Sequence, residues 1–359
     1  MKFRIWASGA LLFSFFSSQL FALDMTAEDL MNAGHFKRAR AIAQRRLQAN
    51  ASDPDALYIL ARVNLAEDHL DLAQGLAERA IEIAPNFSEA HRVLAESLGL
   101  KAIKLNLVTG LAIARRGKKE GELALELNPR SIDAAEFLAS YYNAAPVVAG
   151  GGHEKAERMV DTIMQMSPVR AYLARATGAE EKKDIGGEEN WLKQAVQADP
   201  RNYEARDRLA HLYISDDRRD LAQAERLARA ALGIDPGRSG AYAVLASVFA
   251  QQARWQELDS VLAQSERADS DDLAPYFEAA KALVASGRDN ARADRYLKKY
   301  LSQEPEAGAP QFGYAHWQLG LLALKEGNKP VAVAELQTSV NLLPDFRPAA
   351  DDLKRARAS

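Results

Sequence analysis

Prolines that close short alanine-rich runs recur along the chain and leave it few folds to choose from. "AIEIAP" ends at Pro85, "ALELNP" at Pro129, "AVQADP" at Pro200 and "ALGIDP" at Pro236, with weaker copies ending at Pro168, Pro305 and Pro344. Each reads as a helix end, because proline lacks the amide a helix needs and pushes the residue before it out of the helical region. About 25 residues upstream of Pro85, Pro236 and Pro344 stand "LYILA" (57–61), "RLA" (208–210) and "HWQLG" (316–320). In the cleanest unit, Pro54 to Pro85, the marks are Leu57, Leu60, Ala61, Ala73, Ala77 and Ala80. Small residues at fixed offsets are what two closely crossing helices require, since a larger side chain would push them apart.

Alanine, leucine, glutamate, arginine and glutamine dominate, and no strand-length alternation is present, so the chain is predicted to be all-α. The pattern resembles the tetratricopeptide repeat, whose 34-residue unit places W-x-x-L-G-x-x-Y in helix A and A-x-x-x-F-x-x-A-x-x-x-x-P in helix B. The last full unit carries it too, in Leu319, Gly320, Gly327, Ala332, Leu336 and Pro344. About nine units follow from the spacing: 25–53, 54–87, 88–131, 132–168, 169–202, 203–238, 239–271, 272–307 and 312–346. "PAADDLKRARA" (348–358) is the expected solvating cap within 347–359. The resemblance implies a helical-hairpin solenoid wound as a right-handed superhelix.

Two spacings depart from the pattern. Between Pro85 and Pro129 lie 44 residues, and the surplus falls in "LGLKAIKLNLVTG" (98–110), expected as an enlarged loop. A second surplus falls at 144–152, before "GGGHEKAERMV". Ala156 stands twelve residues before Pro168, the offset Ala73 keeps from Pro85, so Gly150, Gly151 and Gly152 are expected to form an elbow leading into an ordinary helix B. A phosphate loop and a zincin both fail on spacing, since Lys155 is followed by alanine and His153-Glu154 lacks a second histidine. The polar stretch "GAEEKKDIGGEEN" (178–190) is a possible junction between an array over 23–177 and another over 191–346. "APVVAGGGHEKA" (145–156), with the 98–110 surplus, also resembles envelope tetratricopeptide proteins such as the component associated with TRAP transporters.

Lys2 and Arg4 precede a charge-free apolar stretch from Ile5 to about Phe21, which resembles a secretory signal peptide over 1–22 ending at Ala22. The alternative is an uncleaved anchor. The expected location is the periplasm, free or tethered to the inner membrane, with membrane contact only through such an anchor. The 46 basic and 49 acidic residues nearly cancel, and no basic cluster sits beside stacking aromatics, so nucleic acid is not an expected partner. The chain has no cysteine, and its six histidines stand singly, so no catalytic set, metal or cofactor is expected.

Such a solenoid would line its concave face with helix A. The natural contact positions are Tyr58, Arg62, Arg92, Glu96, Glu136, Ser140, Asp207, His211, Ala243, Ser247, Phe277, Lys281, Trp317 and Leu321. Phe277 and Trp317 either pack against the next unit or are exposed for binding. The lysines and asparagines with which some such domains grip a terminal carboxylate do not recur. The expected function is an exported, non-enzymatic scaffold that binds a protein or peptide; the alternative is a solute- or lipid-binding module that serves a transporter.

Overall fold

The computed structural model describes residues 25–358, so the leader expected over 1–22 lies outside the described residues. Within them the chain forms nine helical hairpins and a final helix. The first four hairpins are α1 (Ala27–Ala33) with α2 (Phe36–Ala49), α3 (Pro54–Ala66) with α4 (Leu70–Ile83), α5 (Ser88–Lys104) with α6 (Leu107–Leu127), and α7 (Ile132–Ala144) with α8 (His153–Met166). Then come α9 (Pro168–Glu181) with α10 (Ile185–Ala198), α11 (Tyr203–Ile214) with α12 (Leu221–Leu232), and α13 (Gly240–Gln251) with α14 (Trp255–Ala268). The last two are α15 (Ala274–Ser286) with α16 (Asn290–Tyr300) and α17 (Phe312–Lys325) with α18 (Lys329–Leu342), before the cap α19 (Arg347–Ala358). The architecture is an all-α, tetratricopeptide-type helical-hairpin solenoid.

The close crossings fall where the alanines predict them. Ala61, Ala73, Ala77, Ala80, Ala332 and Leu336 are fully enclosed. A methyl on Gly320 would lie 2.6 Å from Leu336 Cγ, so α17 and α18 touch with no room for a side chain there. Helix starts are capped by the residue type the sequence offers: Asp53, Ser131 and Asn202 accept from the amides of Ala56, Ala134 and Ala205.

First helices of successive units touch one another nearly throughout, from α1 against α3 to α17 against α19, while second helices make no comparable contact among themselves. The first helices therefore form the inner layer of a curved array. Among the described residues only α9 and α11 fall short of this contact.

Three expectations are corrected. Residues 98–110 are not a loop: α5 and α6 both lengthen, to 17 and 21 residues, and turn at Leu105 and Asn106, whose side chain caps α6 by accepting from Thr109 N. The 178–190 stretch is no junction, because α9 and α10 pair as a regular hairpin through it. Asp184 caps α10 there by accepting from Gly187 N at 2.9 Å. Ala243 and Ser247 do not face a groove; they are buried, since α13 packs more extensively on α15 than on its own partner α14.

Candidate functional site

The inner layer carries a ladder of ion pairs. Tyr58 is buried and donates to Glu28 at 3.2 Å, while Arg62 reaches both Tyr58 Oη (3.2 Å) and Glu28 (3.5 Å). Arg92 is buried and donates to Glu96 at 2.6 Å. One unit on, Arg170 of α9 is clamped by Glu136 and Asp133 of α7, each at 2.7 Å. Burial pushes the Asp133 carboxyl up, but Arg92 and Arg170 outweigh it and hold the group below the usual range. For Glu136, burial wins and the carboxyl lies above its ordinary value despite Arg170. The ladder is self-satisfied, so it supplies a polar surface without a free charge of either sign.

Where α9 and α11 stand apart, Arg208 bridges from α11 to Thr177 Oγ1 at 3.1 Å and the Leu173 carbonyl at 3.4 Å. Beside this gap lies a cleft of about 1290 Å³, bounded by residues of α5 to α11. Its walls are apolar: Leu100, Ile103 and Leu111 on one side, Phe137, Tyr141 and Pro146 in the middle, Val160, Leu173 and Trp191 on the other. Glu96, Glu136, Arg170, Glu204 and Arg208 supply the polar edge. Trp191 stacks on Tyr172 with centroids 6.1 Å apart and carries the Arg175 guanidinium over its ring, 5.1 Å from the centroid, so the ring is held in place.

The two sequence surpluses meet at the lip of this cleft. The lengthened α5–α6 hairpin exposes Leu100, Ile103, Leu105 and Val108, and the 3₁₀ turn Val147–Ala149 exposes Val147 and Val148. Arg115 of α6 donates to the Val148 carbonyl at 2.7 Å and ties the two segments together. Gly150, Gly151 and Gly152 connect the 3₁₀ turn to α8. Gly150 adopts φ +91°, open chiefly to glycine, and a methyl on Gly151 would collide with the Ala145 carbonyl at 1.8 Å. The carbonyls of Ala149 and Gly150 are taken by Tyr141 Oη and Lys155 Nζ, both at 2.8 Å.

The remaining sequence-predicted positions do not join the cleft. Phe277 is buried with its ring 5.3 Å from that of Tyr300, so it packs and offers no contact surface. Trp317 packs edge-on to Phe346 at 5.0 Å and donates its indole N–H to Asp352 of the cap at 2.8 Å. Lys281 is exposed and paired with Glu278. His211 Nδ1 lies 3.6 Å from Asp207 Oδ2, while Asp207 Oδ1 is enclosed without a partner. Sequence reasoning missed Arg170, Arg208 and Thr177. The signal for Arg170 and Thr177 was available in the unit over 169–202, whose contact positions were obscured by the glycine-bearing stretch that follows, and Arg208 stands next to the contact position Asp207 in the unit after it.

No family model and no curated protein matches the chain. Among solved structures it is similar to a tetratricopeptide repeat protein from Parabacteroides merdae, with 16% identity over 73% of this chain and 98% of that one and a TM-score of 0.48. It is also similar to yeast Tom70, with 13% identity over 92% and 93% of the two chains and a TM-score of 0.41. The human IFIT1 dimer with m7Gppp-AAAA gives 14% identity over 92% and 80% and a TM-score of 0.48. The helix order and crossings described above define the class, a tetratricopeptide-type repeat protein.

Proposed function

We propose that the protein is an exported scaffold that holds an extended, largely apolar segment of a partner protein in the cleft between α5 and α11, within the bacterial cell envelope. The observation that carries this is the cleft itself. It exceeds the ~300–1,000 Å³ of ordinary small-molecule pockets and runs along an inner layer in which Arg62, Arg92 and Arg170 are each paired with a carboxylate. Apolar walls for side chains with a polar edge for backbone groups suit an extended peptide. The apolar leader-like stretch at Ile5 to Phe21 supports the envelope location.

A photo-crosslinking residue at Ser140, which is exposed on the cleft wall, tests the reading in cells, with Leu72 on α4 as the control. One protein captured in fixed ratio from Ser140 and absent from Leu72 is the expected result. No protein adduct at Ser140, or the same adducts at both positions, would overturn it. A second reading, an amphiphilic solute or lipid held for a transporter, is favoured by the apolar lip at Ile103 and Val108. It predicts a bound small-molecule mass in native mass spectrometry of the purified protein.

A further inference from the structure

In a solenoid each unit touches only its neighbours, so its curvature is soft. This array has one set of contacts that breaks the rule. His35, at the turn of the first hairpin, places Nδ1 2.8 Å from Asp269 Oδ2. Arg38 donates to Asp269 Oδ1 at 2.8 Å and to Asp271 Oδ2 at 3.0 Å. Lys37 donates its backbone amide to Glu306 Oε1 and its ammonium to the Asp271 carbonyl, both at 2.8 Å, and also reaches the Glu304 carbonyl. These contacts span 231 to 269 residues, whereas outside them the longest side-chain hydrogen bond among the described residues spans 41. The 234 residues from His35 to Asp269 are just under seven 34-residue units.

We infer that the first hairpin and the loops before α15 and α17 form a clasp that closes the array on itself and sets the width of the cleft between α5 and α11. The units that line the cleft lie on the arc whose two ends the clasp joins. With the clasp made, the curvature of that arc is fixed; with it broken, nothing but nearest-neighbour contacts holds the arc, and the cleft widens. The contacts have the composition of a releasable joint. His35, Asp269, Asp272 and Glu306 are buried, yet among the described residues no buried apolar cluster spans the joint, and Glu306 Oε2 is enclosed with no hydrogen bond, its nearest cation being Lys37 Nζ at 4.0 Å. The half-exposed Arg38–Asp271 pair is the part of this joint that responds to ionic strength, because salt screens it, whereas the enclosed His35–Asp269 pair is screened less. The clasp is therefore a gate for whatever occupies the cleft, and it stands whether that occupant is a peptide or a solute.

The absence of cysteine allows spin labels to be placed at will on the full chain. One label pair, at Arg45 and Lys298, flanks the clasp; another, at Ile103 and Lys182, flanks the cleft, and all four residues are exposed. In low salt each pair should give one short distance population. Arg38→Asp sets an acid against Asp269 and Asp271 and should abolish the short population of the first pair and lengthen the second. Arg38→Asp with Asp271→Arg should recover part of the short population of both pairs, since it rebuilds the half-exposed pair at 38 and 271 but leaves the new acid facing Asp269. Raising salt from about 0.05 M to about 1 M should open the wild type in the same way, without any substitution. A clasp distance that Arg38→Asp and salt leave unchanged would overturn the inference. So would a clasp that opens while the cleft distance stays fixed.

Discussion

At the scale of single residues, the repeat register has consequences that neighbouring positions separate sharply. Ala156 is buried against Leu138, Tyr141 and Tyr142, whereas Glu154, two residues earlier, is exposed and paired with Arg158. Ala156→Arg should cost at least about 1–3 kcal/mol by overpacking the crossing and burying a charge, while Glu154→Arg should stay within about 0.5 kcal/mol of wild type. Chemical denaturation of the two variants checks the register, and equal midpoints would refute it. Asp207 makes a second case. Burial pushes its carboxyl above the ordinary value, more than His211 and Arg238 pull it down. A carboxyl with a raised folded value contributes stability that is fully present below its unfolded value of ~4 and is lost as pH rises through the folded one. At neutral pH the group is thus a burden, because burial disfavours its charged form. Asp207→Asn should raise the melting temperature at pH 7.5, and the gain should shrink towards pH 4. A gain that grows on acidification would reverse the sign of the argument.

At the scale of elements, the instructive case is the α5–α6 hairpin. Its turn residues, Asn106 and Gly110, read as loop signals, yet only Asn106 serves the turn. A methyl on Gly110 would lie 2.6 Å from the Ala102 carbonyl, and one on Gly117 3.1 Å from the Ala95 carbonyl. The glycines stand seven residues apart on one face of α6 and let two backbones meet, so their role is packing. A sequence shows a glycine but not which of these two uses it has. Gly117→Leu should splay the hairpin at a cost of about 1–3 kcal/mol and detach the lip from the elbow, which Arg115 joins. Cleavage by a protease of limited specificity within 98–110 should accelerate several-fold in that variant. An unchanged cleavage rate would mean that the close approach is not what holds the hairpin. Phe277 teaches the converse lesson. Its position in helix A is legible, but its burial depends on the ring of Tyr300 at the end of α16, a pairing that the small-residue pattern of the unit does not encode.

At the scale of the whole molecule, the nine hairpins and the cap were legible because each repeats one local rule, an alanine at a crossing and a proline at an end. The cleft and the clasp were not, since both depend on how far the array curves over many units. The core follows that curvature unevenly. One continuous cluster runs from Leu173 to Leu322 and another from Ala27 to Leu98, whereas between them Ala135, Leu138, Tyr142, Ala156 and Ile163 form only two small groups. The cleft therefore opens where apolar burial is thinnest, beside α7 and α8. Local opening is cheapest where few buried contacts must break. Amide exchange followed by mass spectrometry should accordingly show the weakest protection among internal helices in α7 and α8, and the strongest in α13 and α15, which bury each other. If α7 and α8 instead exchange as slowly as α13, the small clusters contribute as much as the large ones, and the clasp is no longer needed to keep the cleft in one shape.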